Sequence, residues 1–313
     1  MKRLKLSNAE LVKSEEDIPG NFTSVKGEYY IPDIGKTGFY KLNGCMIDAK
    51  NDEDLRELLA ARLMDQIGFP HSDIVLVMDE NGQKGCLSVN ILNESEEFVQ
   101  PIENGIYFGP IYNVEDFINN DLAQISLISG IDSEDLRIRK EYLLKYLLIS
   151  AFISNTDIKM DNMMIIKNNN TGNFRNPEYY DMGIAFIEKN HRKFFSKYSS
   201  NQVIEELYEE YPSQIVPLGK MIEEKLNVNF IESLLQEETF DGFSSENKKL
   251  IKEQLIDRIN WIKKLNTREQ NNFKFGTNEI HEISKEMNMS LRDSAVEFML
   301  KIKNKILGRS RDE

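Results

Sequence analysis

The first third of the chain alternates short apolar or aromatic runs with turn residues, and this pattern predicts strands. Residues 28–31 and 38–42 are rich in aromatic side chains and are bounded by Gly, Pro and Asp. Apolar runs at 74–78 and 86–92 flank an Asn-Gly pair at 81–82, which favours a tight hairpin because both residues tolerate positive φ. The pattern therefore predicts a small β-sheet.

One helix interrupts these strands. Between Asp52 and Ile67, apolar residues recur with the spacing of a helix. Gly68 and Pro70 end this element, because Gly suits the position after a helix and Pro cannot continue one. The helix is thus predicted to lie between the second and third strands.

The rest of the chain has a different character, which begins with a polar, acidic stretch at 93–97. The predicted elements are a helix over 136–154, strands over 163–167 and 177–180, and helices from 201 onward with a break at 273–276. These patterns predict an α+β fold with two lobes. A small β-rich N-lobe covers 1–92, and a mostly helical C-lobe covers 93–313.

Composition narrows the classes of partner. The formal net charge of −13 would repel the phosphates of nucleic acid and of anionic membranes, so we expect neither partner. The apolar run at 143–153 is too short to span a bilayer and contains Lys145. Cys45 and Cys86 form no zinc or disulfide pattern, and the N-terminus has no signal-peptide core. We expect a cytoplasmic protein, with secretion by a non-classical route as the alternative.

The strongest chemical signal is an ordered set of two aspartates and an asparagine. Asp157 follows the predicted helix, Asn162 opens the next apolar strand, and Asp181 begins an Asp-Met-Gly segment. An aspartate can orient an acceptor hydroxyl, and asparagine and aspartate oxygens are hard ligands that suit Mg²⁺. Gly183 lets the backbone turn close to a ligand. The order is that of a catalytic base and two magnesium ligands in kinases.

A lysine and a glutamate upstream extend this set. Lys41 lies in a predicted strand with apolar flanks, and Glu57 lies within the apolar run of the following helix. A kinase needs a strand lysine for the α- and β-phosphates and a helix glutamate that holds the lysine. Glu53 and Asp54 are the competing partners for Lys41. The five positions together predict an ATP site.

Two further contacts with ATP are predicted. The turn before the lysine strand is not a Walker A loop, since Tyr30 stands where that motif needs its first glycine. Its backbone and donor side chains can still cover phosphates, with an ordinary hairpin turn as the alternative. The residues of this turn are Gly35, Lys36, Thr37 and Gly38. At the end of the last N-lobe strand, Asn90 and Leu92 are predicted to meet adenine at a hinge between the lobes.

On these residues the chain resembles the HipA-like kinases, bacterial toxin kinases with a protein-kinase-like core. The resemblance rests on 156–162, on Tyr-Tyr-Asp at 179–181, on the helix at 57–64 and on the strand pair around 81–82. It implies a two-lobed protein-kinase-like fold and ATP- and Mg²⁺-dependent phosphorylation of serine or threonine in a protein substrate, often with autophosphorylation. It also implies the roles of the matching residues, namely Asp157 as base, Asn162 and Asp181 as metal ligands and Lys41 as the phosphate-binding lysine.

Departures from the family pattern leave alternatives open. Residues 158–161 replace the Gly-His that often follows the aspartate, and no extra N-terminal subdomain is recognised, so an antitoxin partner stays undecided. Small-molecule phosphotransferases usually have histidine where Asn155 stands, and lipid kinases usually have Arg-His after the aspartate. A lipid or small-molecule phosphotransferase is one alternative. A nucleotide-binding pseudokinase that serves as an interaction module is the other.

Overall fold

The computed structural model describes residues 3–17, 25–44, 52–99, 111–158, 160–186, 194 and 198–289, with side chains as far as Arg268 except at 160–161. Two compact units are distinguished, Met1–Leu265 and Asn266–Glu313. All the candidate functional residues lie in the first unit. No helix among the described residues is both long enough and apolar enough to cross a membrane.

A six-stranded sheet occupies the first part of the chain. Its strands are β1 (Leu4–Lys5), β2 (Glu10–Ser14), β3 (Val25–Ile31), β4 (Lys36–Leu42), β5 (Ile74–Met78) and β6 (Lys84–Val89). The order across the sheet is β1-β5-β6-β4-β3-β2, and only the β1–β5 pair is parallel. Strand β6 ends earlier than the predicted residue 92. Asn90 accepts a hydrogen bond from the Leu92 N–H at 3.0 Å, and such a local bond competes with the ladder of a sheet.

The two faces of this sheet differ in chemistry, because successive residues of a strand point to opposite sides. Tyr40 lies on the outer face in an apolar cluster that Leu6 of the N-terminal segment helps to cover. Lys41 lies on the inner face, where its register partner is Cys86. This inner face packs on helix α1 (Glu53–Ile67), which ends at Gly68 with φ 89° as the sequence predicts. The alternation of β4 therefore directs its lysine toward α1.

The second part of the described chain is mostly helical. Its helices are α2 (Val114–Ile125), α3 (Ser133–Phe152), α4 (Ser200–Glu210), α5 (Pro212–Lys225), α6 (Val228–Gln236) and α7 (Ser245–Met289). A second sheet of order β7-β8-β9 contains Glu96–Val99, Ile165–Asn168 and Phe174–Arg175. In the second half of α3 every residue except Lys145 is buried, and the apolar ones belong to the large apolar core.

Two predicted elements in this part are wrong. The strand expected at 177–180 lies earlier, at Phe174–Arg175, because Pro177 has no N–H to donate to a ladder. Tyr179 instead forms an isolated bridge with His71. The break expected at 273–276 is not observed, since α7 continues to Met289. A single glycine inside a helix costs only about 1 kcal/mol, which a long helix tolerates.

Candidate active site

Lys41 lies between two carboxylates. Its Nζ is 2.7 Å from Glu57 Oε1 and 3.0 Å from Asp181 Oδ1. Burial alone would lower the pKa of Lys41, but the negative charges of Asp181 and Glu57 outweigh burial and raise this pKa above its usual value. The lysine is therefore charged at neutral pH. Two carboxylates, 16 and 140 positions further along the chain, thus meet at the Lys41 ammonium group.

The surroundings of Glu57 fix its orientation. Its second oxygen, Oε2, accepts from the Cys86 thiol at 3.5 Å, and burial together with the Glu57 charge raises the pKa of that thiol. A Cβ atom at Gly183 would lie 3.5 Å from the same Glu57 oxygen, so the segment after Asp181 packs directly on α1. Asp181 itself has φ 60°, a strained conformation of the kind that clusters at functional sites.

The competing partners for Lys41 are engaged elsewhere. Asp54 forms an ion pair with Arg3 and accepts from Asn43 Nδ2 at 2.7 Å. Glu53 accepts from the Gly44 N–H at 2.9 Å. Of Glu57 and its two competitors, Glu57 is thus the one whose carboxylate contacts the lysine.

The segment that carries Asp157 is held by amide side chains. Asn162 Nδ2 donates to the Asp157 carbonyl at 3.2 Å, and the Asp157 N–H donates to Asn155 Oδ1 at 3.4 Å. Asn155 is fully buried, and its Nδ2 lies 2.9 Å from Met182 Sδ. Asn155 therefore links Asp157 to the Asp-Met-Gly segment. In the sequence, Asn155 stands out only because small-molecule phosphotransferases usually have histidine at this position. Its role as a link depends on tertiary contacts, which a sequence pattern does not reveal.

One small cavity, of about 40 Å³, joins these groups. Lys41, Glu57, Asp157 and Asp181 all line it, together with Glu53. Carboxylates outnumber the lysine at this cavity, so its potential is negative. A phosphate chain would be repelled here unless a cation came with it.

The predicted phosphate-covering turn, Gly35–Gly38, lies at the other end of β4. Thr37 is about 13 Å from Lys41 along the strand, and its hydroxyl donates to Glu28 Oε1 at 2.8 Å. The register partner of Lys41 in β3 is Val25, at the end of β3 that leads back to β2. The turn therefore lies at the opposite end of β4 from Lys41, and its role in covering phosphates stays a prediction.

The polar groups around the predicted hinge residues form hydrogen bonds within the protein. The Asn90 N–H donates to the Thr37 carbonyl at 2.8 Å, and Asn90 Oδ1 accepts the Leu92 N–H. Arg175 Nη2 donates to the Ile91 carbonyl at 2.7 Å. A ligand that needs the Leu92 N–H would have to displace the Asn90 side chain. Contact between adenine and Asn90 or Leu92 stays a prediction.

Comparison with known proteins defines the class of fold. No protein-family model matches the chain, and neither does any curated protein. The crystal structure of the Helicobacter pylori proinflammatory kinase CtkA matches with a TM-score of 0.63 and 13% identity, over 85% of this chain and 98% of that one. The predicted two-lobed, protein-kinase-like α+β fold is confirmed by this match.

A protein of a toxin–antitoxin system gives a weaker match. It is HipA, in the Shewanella oneidensis MR-1 complex of HipA, HipB and operator DNA, with a TM-score of 0.47 and 9% identity, over 74% of this chain and 60% of that one. The kinase-like fold that the resemblance to HipA-like kinases implies is confirmed by the match with CtkA.

Proposed function

We propose that this chain is a serine/threonine protein kinase that depends on ATP and Mg²⁺. The observation that carries the proposal is the Lys41 ammonium group, held between Glu57 and Asp181 in a chain with a kinase fold. A lysine that a helix glutamate keeps in place is the group with which kinases bind the α- and β-phosphates of ATP.

The proposed reaction divides the chemistry among these residues. The acceptor hydroxyl oxygen forms a bond to the γ-phosphorus while the bond from phosphorus to the β–γ bridging oxygen breaks, and ADP leaves with that electron pair. Asp157 orients the hydroxyl and takes its proton. Lys41 holds the phosphates, so that the attacking oxygen and the leaving oxygen stay in line. Most of the catalysis is positioning and charge neutralisation.

The donor chemistry of the site fits Mg²⁺. Asp181 lines the cavity with excess negative charge and offers a carboxylate, and Asn162, bonded to the Asp157 carbonyl, offers an amide oxygen; both are hard donors. Among the described residues, no three His, Cys, Asp or Glu side chains form a metal-binding group. Mg²⁺ does not need such a cage, since it is usually bound by one or two carboxylates, phosphates and water. When bound here, Mg²⁺ would neutralise phosphate charge.

The acceptor that we propose is a serine or threonine of a protein, and the chain is expected to phosphorylate itself as well. This follows the resemblance to HipA-like kinases. Cys86 is a buried free thiol, which suits a reducing compartment, and we propose the cytoplasm as the place of action.

The test is transfer of labelled γ-phosphate with Mg²⁺ to protein, lipid and sugar acceptors offered in parallel. Asp157→Asn should lower transfer by about 10²- to 10⁴-fold, while the thermal shift caused by ATP persists. Asp241→Asn, at an exposed carboxylate that pairs with Lys248, is the matched control. Full transfer by Asp157→Asn would exclude the mechanism, and transfer to lipid or sugar alone would exclude the acceptor class.

A further inference from the structure

Between Ser245 and Arg258, helix α7 buries three polar side chains on its apolar side. Asn247, Gln254 and Arg258 are spaced so that they share one face with Ile251 and Leu255. The three polar residues are 7%, 5% and 8% exposed. A polar group is buried at a cost unless it gains hydrogen bonds, so the partners of these side chains indicate what the helix holds.

Two of the three side chains hold the residue that leads into the Asp157 segment. Ser154 Oγ accepts from Gln254 Nε2 and, at 3.2 Å, from Arg258 Nη2. Ser154 is buried and has φ 55°, a conformation that a serine keeps only when its surroundings determine it. Asn155, the next residue, is the one whose amide accepts from the Asp157 N–H. The path of the chain into Asp157 is therefore fixed from α7.

The third side chain reaches the helix that carries Glu57. Asn247 Nδ2 donates to Asp52 Oδ2 at 3.0 Å, and Asp52 Oδ1 pairs with Arg56 Nε at 2.7 Å. Arg56 Nη1 donates onward to the Ala185 carbonyl at 3.0 Å, in the segment that follows Asp-Met-Gly. Through this buried chain of contacts, α7 holds the start of α1 against the segment after Asp181.

We infer that the first five turns of α7 are a brace that sets Glu57 and Asp157 relative to each other, and that Asn247, Gln254 and Arg258 are positioning residues. The inference rests on the proposed function. None of the three side chains lines the cavity at Lys41. Loss of the brace should therefore lower kcat for phosphate transfer and leave the KM for ATP nearly unchanged.

Ser154 allows positioning to be separated from stability. Ser154→Ala removes the accepting oxygen and keeps a Cβ at positive φ, whereas Ser154→Gly removes the oxygen and relieves the strain. We expect kcat to fall by about 10- to 100-fold in both variants, although the glycine variant melts at the higher temperature. Recovery of kcat in Ser154→Gly would mean that the hydroxyl contacts serve stability alone, and would overturn the inference.

The α7 side chains provide a second comparison. Arg258→Met removes the donors, while Arg258→Lys keeps a cation that can donate to Ser154, so the lysine variant should retain the larger kcat. Lys249→Met, on the exposed side of the same helix, is the matched control and should not change kcat. Equal losses in Arg258→Lys and Arg258→Met would contradict a role that depends on these hydrogen bonds.

Hydrogen exchange tests the brace even if the chain transfers no phosphate. The Asn155 N–H bonds to the Ser150 carbonyl, and the Phe186 N–H to the Ile153 carbonyl, each at 2.8 Å. In Gln254→Met, both amides should exchange faster while the β5–β6 hairpin exchanges as before. If the wild-type protein transfers no phosphate but Gln254→Met shows this exchange pattern, the kinase proposal is refuted and the brace is supported. Unchanged exchange at both amides would refute the brace whatever the activity.

Discussion

A buried glutamate lies near each end of strand β4, Glu57 at one end and Glu28 at the other, and the two have different electrostatic surroundings. At the end that carries Lys41, one ammonium group is shared between Glu57 and Asp181, and the Asp181 side chain is 36% exposed. The negative charge there exceeds the positive charge. A ligand that brings a cation can therefore complete this end.

At the other end of β4 the carboxylate is matched by its own neighbours. Glu28 Oε1 accepts from Thr37 Oγ1 at 2.8 Å and from Asn90 Nδ2 at 3.3 Å, while Oε2 pairs with Lys13 at 3.1 Å. Arg175 forms two bonds of 2.8 Å with the Glu96 carboxylate and a further ion pair with Glu178 at 2.9 Å. At this end, which we call the hinge end, the charged side chains are paired with one another, and a cavity of about 290 Å³ lined by Asn90 and Arg175 lies beside them.

The difference teaches that burial of a charged residue does not by itself mark a site. Glu57 and Glu28 are 4% and 5% exposed, so burial does not separate them. What separates them is that Glu57 lines a cavity together with Lys41, Asp157 and Asp181, whereas Glu28 is bonded to Thr37, Asn90 and Lys13. The variants below test this distinction, from the largest expected effect to the smallest.

Replacement of the shared cation should have the largest effect. Lys41→Met should lower phosphate transfer by about 10²- to 10³-fold, because the phosphates lose their positive partner. It should also lower the free energy of unfolding by about 3–5 kcal/mol, since Glu57 is left buried without a cation. Radiolabel transfer and urea unfolding measure the two effects. Transfer near the wild-type level would show that Lys41, and with it this end of β4, does not belong to the active site.

The helix carboxylate should matter less than the lysine. Glu57→Gln keeps the shape of the side chain, and Lys41 keeps its contact with Asp181, so we expect a loss in kcat of about tenfold to a hundredfold. Glu80→Gln, on the exposed hairpin between β5 and β6, is the control for loss of one negative charge. A kcat equal to that of the control would mean that Glu57 is structural, like Glu28.

At the hinge end, Glu96→Gln should change stability and not chemistry. The hydrogen bonds from Arg175 lower the pKa of Glu96 from 4.5 to about 2. A lowered pKa in the folded state means that the charged form stabilises the protein above about pH 4.5, and that this contribution is lost as the pH falls toward 2. The variant should thus be about 1–2 kcal/mol less stable at pH 7, with a gap that closes in acid.

Unfolding curves at pH 7 and pH 3 measure this gap, and transfer assays at pH 7 give kcat. A gap that widens in acid would contradict the assignment of the lowered pKa. A large loss of kcat with unchanged stability would place Glu96 in the site.

The smallest effect is expected at Glu28. In Glu28→Gln the new amide oxygen still accepts from Thr37 and Asn90, and the lost pair involves a half-exposed Lys13. We therefore expect a loss of less than about 1 kcal/mol in the free energy of unfolding and no change in transfer. A marked loss of ATP affinity would show that the hinge end belongs to the site and would break the comparison.

Several parts of this arrangement could be predicted from patterns alone. Aromatic and apolar flanks predicted that Lys41 lies in a strand, and helical spacing predicted that Glu57 lies in α1. The phosphate-transfer site indicated by the order of Asp157, Asn162 and Asp181 stays a prediction. The turn at 35–38 is close to Lys41 in sequence but distant in space, because an extended strand carries the chain about 3.3 Å per residue. The strand at 174–175 was misplaced because apolar character outweighed the missing N–H of Pro177.

The sequence by itself determined which side chains are available and on which elements they lie, because strand and helix periods are local properties of the chain. Tertiary structure alone decided which of three acidic residues meets Lys41, that Asn155 joins two segments, and that α7 holds Ser154 and Asp52. These contacts join residues tens to hundreds of positions apart. They depend on how the sheet, α1 and α7 pack, and packing is a property of the whole fold.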